Sequence, residues 1–302
     1  MSIKWGRLLL LAGMALLVCA TEASAWGGAT HIKLAGDVLA NLWVLPASVA
    51  ALLSKHTWHY LYGNVAADIV LAKKLSRVKQ ICHHWTTGFS ILKQAQGEED
   101  HAFAYGYLSH LAADTVAHNK FLPRQFAVSR STLSFGHLYW ELRADSRIEE
   151  DHWASLRETL GRSYPGPRLL LEQHLTSTLL SFTTNKVVFE RMNLLTCMSA
   201  WRKSVEHWTR ISRWPLDDDV LGDYRTESLD RIVDVLTHET ASAVLHDDPN
   251  GNSALAYAKA QRRQLRQMKR ARMSHDHVVA EAAALHAPAR FSKPPNGHRH
   301  DA

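Results

Sequence analysis

Over long stretches of the chain, apolar residues recur at three- and four-residue intervals rather than alternating, which is the signature of helices packed through one face. Residues 30–43 place Ile32, Ala35, Leu39 and Leu42 on one side of a helix, and Pro46 resets the chain into a short second one. Gly63 opens a segment that carries Asp68. A further helix is expected from Trp85 towards Gln96, and another from about Glu98 to Asn119, with Pro123 closing off its continuation. The next spans roughly Ser131 to Trp153, before the break at Pro165-Gly166-Pro167. In the second half, helical patterns near 168–183, 185–208, 226–246 and 253–273 carry few clustered chemical groups and are read as packing helices. Asp247-Asp248-Pro249-Asn250-Gly251 is a turn, with Ser253 the expected N-cap of the last helix. From about Ser274 the sequence becomes rich in Pro, His and Ala, which predicts a disordered tail over 274–302. The pattern therefore predicts an all-α fold, a multi-helix bundle over 26–273.

The first 25 residues stand apart from that bundle. Lys4 and Arg7 precede an apolar run from Leu8 to Ala20, too short to span a bilayer, and Ala23-Ser24-Ala25 is a small-residue cleavage site. This is the layout of a signal peptide. It predicts export to a periplasm or beyond and a processed chain beginning at Trp26. Cys19 follows Val18, where a lipoprotein signal wants a small residue. The processed chain keeps Cys82 and Cys197, whose pairing the sequence leaves open.

Composition changes the picture in one respect. Proline (9) and glycine (15) are scarce, as expected for helices, but there are 19 histidines, many four residues from another histidine or from an acidic residue. Neutral imidazole is the commonest metal ligand. His110, Asp114 and His118 stand at i, i+4 and i+8, so they project from nearly one stripe. His137 and Glu141 repeat the spacing on the following helix. Two helices that each turn His and carboxylate inward build a metal site in a helical core. One such pair alone would be read as a surface ion pair. Two, set among Leu108, Leu111, Leu138 and Trp140, point to metal, because burying so many polar groups without a cation is costly. His31, five residues after Trp26, and Asp68, in an otherwise apolar run, fit the same picture. His83 and His84 at the next helix start leave open which of them joins.

The ordered series Trp26, His31, Asp68, His83, His110, Asp114, His118 and His137-x-x-x-Glu141 resembles the bacterial zinc-dependent phospholipases C. More distantly it is similar to the single-strand-specific zinc nucleases of fungi and plants. The resemblance covers roughly residues 26–150. It implies a helical bundle enclosing three zinc ions. Asp68, His83, His110 and Asp114 would surround one. Trp26, through its free amine and carbonyl, would hold a second with His31, bridged by Asp114. His118, His137 and Glu141 would hold the third. Imidazole and carboxylate donors suit zinc. The spacing from Asp114 to His118 is shorter than in the best-known phospholipases, so His110, Asp114 and His118 are expected on one uninterrupted helix.

Such a site lowers the pKa of bound water towards about 7 and serves phosphate-ester hydrolysis. The resemblance implies that Asp68 orients or deprotonates the attacking water. The favoured activity is phospholipase C-type cleavage of a phospholipid, with a phospholipid or membrane surface as the partner. A zinc nuclease acting on single-stranded nucleic acid is the alternative, and Trp58, Tyr60, Tyr62 and Trp85 could form its base slot, line a choline pocket or simply fill the core. A non-catalytic, zinc-stabilised protein ranks last, because carboxylate-rich sites differ from closed Cys-rich structural ones. Nothing in the sequence requires an obligate protein partner. The net charge of +6 and a run of Arg262, Arg263, Arg266, Lys269, Arg270 and Arg272 would suit an anionic surface, though such a run is more often a solvated helix face.

Overall fold

The computed structural model describes residues 26–69, 82–129, 133–175, 181–212, 214, 216–271, 276, 280 and 284–288. The expected signal peptide, Val70 of the run that carries Asp68, and Arg272 lie outside these residues, as does most of the tail.

Every regular element among the described residues is helical. In chain order they are α1 (Gly28–Ala40), α2 (Ala47–Lys55), α3 (Thr57–Ala66), α4 (Trp85–Gln94), α5 (Gly97–Val116), α6 (Leu122–Ser129) and α7 (Leu133–Asp145), then α8 (Glu150–Gly161), α9 (Pro165–His174), α10 (Phe182–Thr196), α11 (Ser199–Arg210), α12 (Asp218–His238) and α13 (Asn252–Arg270). Among the described residues, no helix is long and apolar enough to cross a membrane.

The bundle is organised around α5. Its residues from Ala102 to Val116 are buried almost without interruption, so its sequence has no polar face, as a helix surrounded on all sides requires. Helices α3, α4 and α12 pack along it, with α1 against one side. The closest approach is α3 on α5, where two glycines remove the side chains that would hold the backbones apart. A β-carbon on Gly63 would lie 2.8 Å from Gly106 Cα, and one on Gly106 would lie 2.9 Å from Gly63 Cα. Trp26, Tyr60, Tyr62, Phe103, Tyr107 and Phe121 fill the surrounding core. A smaller cluster of Leu138, Trp201 and Val205 joins α7 to α11.

Several boundaries differ from the sequence expectation, each for a local reason. Pro123 does not end the chain's helical course. It comes just after the π-turn over Ala117–Phe121, which carries the helical course into α6. The stretch expected as one helix to Trp153 is broken after Asp145, where the N–H groups of Ser146, Arg147 and Ile148 donate to the carbonyls of Leu142, Ala144 and Asp145 in a turn before α8 begins. The stretch near 185–208 is two helices that meet at Cys197-Met198. The helix expected from about 226 begins at Asp218, with the Asp217 side chain accepting from Asp219 N. Ser253 lies inside α13 rather than capping it. The preceding Gly251, at φ +59°, makes the turn, and Asp248 accepts from the backbone N–H groups of Asn250 and Asn252. His286, expected in a disordered tail, is buried, its carbonyl accepting from the Tyr224 hydroxyl at 2.6 Å. Cys82 and Cys197 are both buried and are not bridged to one another.

Candidate metal centre

Helix α5 presents His110 and Asp114 on the stripe their spacing predicts, and both are fully buried. After Val116 the ladder loosens into a π-turn over Ala117–Phe121, and His118 sits in it. The three residues therefore do not share one uninterrupted α-helix. The extra residue per turn turns His118 back towards Asp114, its Nδ1 3.7 Å from Asp114 Oδ2.

The two helices packed on α5 bring the rest of this group. At the end of α3 the chain delivers Asp68, and the turn before α4 delivers His83. His83 Nε2 lies 3.1 Å from Asp68 Oδ1, 3.3 Å from Asp114 Oδ2 and 3.1 Å from His110 Nε2. From α1, His31 stacks on His110 at 3.9 Å between ring centres and places Nε2 3.4 Å from Asp114 Oδ1. Asp114 is thus ringed by four imidazoles. The ring of His137 from α7 meets that of His118 edge to face at 5.4 Å. Glu141, one turn further along α7, is buried and feels the charges of Asp68 and Asp114. Of the ambiguous pair, His83 is the one that converges, while His84 is exposed at the start of α4. Trp26 is wholly buried beside this region. Its indole stacks on Phe121 at 4.7 Å and donates to Ser228 Oγ.

The electrostatics call for a cation. His110 Nδ1 lies 2.9 Å from the carbonyl of Asn64, which can only accept, so Nδ1 carries the proton and the Nε2 lone pair faces inward. That lone pair faces His83 Nε2 at 3.1 Å and the Asp114 carboxylate at 3.2 Å, so donor atoms from three residues meet around one point. Burial by itself would raise the Asp114 carboxyl, but the imidazoles of His110, His118 and His31 outweigh it and hold it well below the usual carboxylate range. Burial pushes Glu141 well above its ordinary value, and Asp145, Asp68 and Asp114 push the same way. Burial, and for His31 the neighbouring His110, lowers His31 and His118 below 6.5, favouring the neutral, ligating form. Both oxygens of Asp114, Glu141 Oε2, both ring nitrogens of His31 and His118 Nδ1 are buried without a well-formed hydrogen bond. Converging lone pairs, crowded buried carboxylates and unsatisfied donor atoms are what divalent cations would relieve. Donor atoms of His31, Asp68 and His110, and separately of His83, His110 and Asp114, lie within 4.8 Å of one another. The residues fit zinc.

Supporting contacts come from residues outside the predicted ligand set. Asp145 accepts from Ala29 N at 3.3 Å, Thr30 N at 3.1 Å and the Thr30 hydroxyl at 2.6 Å, which fixes the start of α1 and with it His31. The i, i+4 run His137, Glu141, Asp145 was a signal that could have found it. The turn at 247–251 folds over the opposite side. Asn250 donates to the His83 carbonyl at 2.8 Å, Asn119 donates to Asp248 O, and Gly251 sits so close to His118 that a β-carbon would lie 2.6 Å from His118 Cβ. No local sequence signal marks these long-range contacts. Among the aromatic candidates, Tyr60 and Tyr62 are core residues, Trp58 has Arg162 stacked over it at 4.1 Å, and Trp85 donates to the Asp247 carbonyl.

A family model described as zinc-dependent phospholipase C matches residues 30–185, which runs from within α1 into the start of α10 and takes in every residue of the cluster from His31 to Glu141. No curated protein and no solved structure matches the chain.

Proposed function

The chain belongs to the zinc-dependent phospholipase C family, and from that premise we propose that it is an exported phosphodiester hydrolase that cleaves a phospholipid into a phosphorylated head group and diacylglycerol. One observation carries the proposal: five buried imidazoles and three carboxylates from five separate parts of the chain converge where a neutral protein core would exclude them.

His31, Asp68, His83, His110, Asp114, His118, His137 and Glu141 would hold zinc, with Trp26 contributing its amine and carbonyl once the leader is removed. Bound zinc supplies Lewis-acid polarisation of the phosphoryl oxygens and a water acidified towards about pKa 7. The chain's own contribution is orientation and proton traffic. Asn64 fixes the His110 tautomer, and Asp145 fixes the start of the helix that bears His31. Asp68 is the most accessible carboxylate of the set, its side chain 11 % exposed and oriented by His83. It is placed to take a proton from an attacking water. The water oxygen bonds to phosphorus and its proton passes to Asp68. The bond to the glycerol oxygen breaks, that oxygen takes a proton from solvent to leave as diacylglycerol, and Asp68 returns its own proton to solvent.

The test is metal analysis of the purified processed protein alongside paired assays on phosphatidylcholine vesicles and single-stranded nucleic acid. Release of phosphocholine, abolished by a zinc chelator and by Asp68→Asn, is the expected result. Release of mononucleotides without phospholipid turnover would replace the lipid assignment by a nuclease.

A further inference from the structure

The joint between α2 and α3 carries a second group of metal-type donors that plays no part in the buried centre. His56 and His59 flank the start of α3 one turn apart, on one side of the chain. Glu98 and Glu99 face them from the first turn of α5. Donor atoms of His56, His59 and Glu99 all lie within 4.8 Å of one another. His59 Nε2 is 3.5 Å from Glu99 Oε2, and His56 Nε2 is 2.9 Å from Glu98 Oε2. The group borders a cavity of about 430 Å³ whose far wall is Arg162, Ser163 and Tyr164.

We propose that His56, His59 and Glu99 form a peripheral site for a divalent transition cation of the zinc type, while Glu98 stays paired with Lys55. Two imidazoles and carboxylate oxygens are a zinc donor set, and the i, i+3 pairing of His56 with His59 makes a chelate on one helix end. Ligands about 2.1 Å from a tetrahedral centre stand roughly 3.4 Å apart, so the present spread closes with about an ångström of side-chain rotation. The geometry allows that movement. The Glu99 side chain is 65 % exposed and unhindered, whereas the two histidine side chains are only 15 % and 18 % exposed and already aimed at the acids. His59 is partly buried, which lowers its pKa and favours the neutral ligand. Closure would tie the α2–α3 joint to the start of α5, and the open coordination position would face the cavity.

The site is tested by comparing zinc stoichiometry of the wild-type protein with His56→Gln/His59→Gln and with Glu99→Gln, after equilibration at the same free zinc concentration. The wild type is expected to hold one equivalent more than the double variant, and Glu99→Gln to bind that equivalent at least tenfold more weakly. The difference is read whatever the buried centre holds, so it does not depend on the proposed activity. A variant-free measurement accompanies it. Zinc added to chelator-treated wild-type protein should protect His56 and His59 from diethyl pyrocarbonate, as read by peptide mass spectrometry, while exposed His207 remains reactive. Equal stoichiometry in wild type and double variant, or equal modification of His56 and His59 with and without zinc, overturns the site.

Discussion

Gly63 and Gly106 meet across the α3–α5 crossing so closely that neither tolerates a β-carbon, and this contact places Asn64 of α3 against His110 of α5. The metal centre therefore depends on a backbone approach that has no metal ligand in it. Gly106→Ala would drive its methyl group into the Tyr60 carbonyl, which is backbone and cannot rotate away. Overpacking of this kind costs roughly 1–3 kcal/mol or more. The expected outcome is a clear loss in urea-unfolding stability together with reduced zinc content. A variant with wild-type stability and zinc would show that the helices can separate freely here.

His83 and His84 are adjacent in sequence and opposite in environment. His83→Ala removes a ring that faces Asp68, Asp114 and His110, and is expected to reduce bound zinc and lower turnover by at least a hundredfold. His84→Ala removes an exposed side chain and should change either quantity less than about threefold, as ordinary surface substitutions do. Metal analysis and single-substrate kinetics on both variants decide the matter, and the reverse ranking would assign His84 to the centre.

Asp145 is not among the residues proposed to bind zinc, yet it accepts three hydrogen bonds at the start of α1. Asp145→Ala leaves those buried donors unsatisfied, at a cost of roughly 1–3 kcal/mol per group left without a partner. Asp145→Asn keeps one oxygen and should recover much of the loss. The two variants are compared by chemical unfolding of chelated protein, where zinc cannot mask the effect. If Ala and Asn are equally mild, Asp145 does not anchor the helix.

How far the site could be read from the sequence follows from the range of each interaction. His110 with Asp114, and His137 with Glu141, are one helical turn apart, so their shared faces are visible in the spacing itself. Asp68 could be flagged because a carboxylate within an apolar run needs a partner. The π-turn at His118 is invisible to a count of residues, since it arises where α5 meets the 247–251 turn and Gly251 presses on His118. Asn250 and Asn119 act through partners more than a hundred residues away, and nothing near them announces it. The helical class was legible because α5 and its neighbours obey the helical period. The breaks after Asp145 and at Cys197-Met198 were not, because no proline or glycine marks them.

Acid should act on the metal-free protein as pH falls through the range where an ordinary histidine titrates. His31 and His118 have pKa values lowered in the fold, chiefly by burial, from the ordinary 6.5. Between the lowered and the ordinary value the unfolded chain binds more protons than the folded one, so stability rises with pH through that window and falls as pH drops below about 6.5. Zinc binding has the same sign, because only the neutral rings ligate. Glu141 and Asp145, whose pKa values burial raises, act with the opposite sign over the same range. The histidine contribution is therefore read as a difference: chelated wild-type protein is expected to lose more melting temperature between pH 7 and 5 than chelated His31→Gln/His118→Gln. Equal losses in the two proteins would contradict the buried, neutral histidines.

Trp26 separates two roles that one residue could hold. Its indole is a core group, stacked on Phe121 and donating to Ser228, and these contacts do not depend on whether the backbone nitrogen is an amine or an amide. Its proposed part in zinc binding does depend on that, because an amide nitrogen has no lone pair to give. A processed protein beginning at Trp26 should therefore carry more zinc than one extended by a single residue, with equal helicity and a similar indole environment by fluorescence. Trp26→Ala makes the complementary change. It keeps the amine but removes the stacked ring, at a cost of about 3–5 kcal/mol for a large aromatic in a packed core. If the one-residue extension keeps full zinc content and full turnover, the amine is not a ligand and the cluster is completed by side chains alone. If it loses zinc while the indole stays buried, the site is assembled only by cleavage of the leader, which ties activity to export.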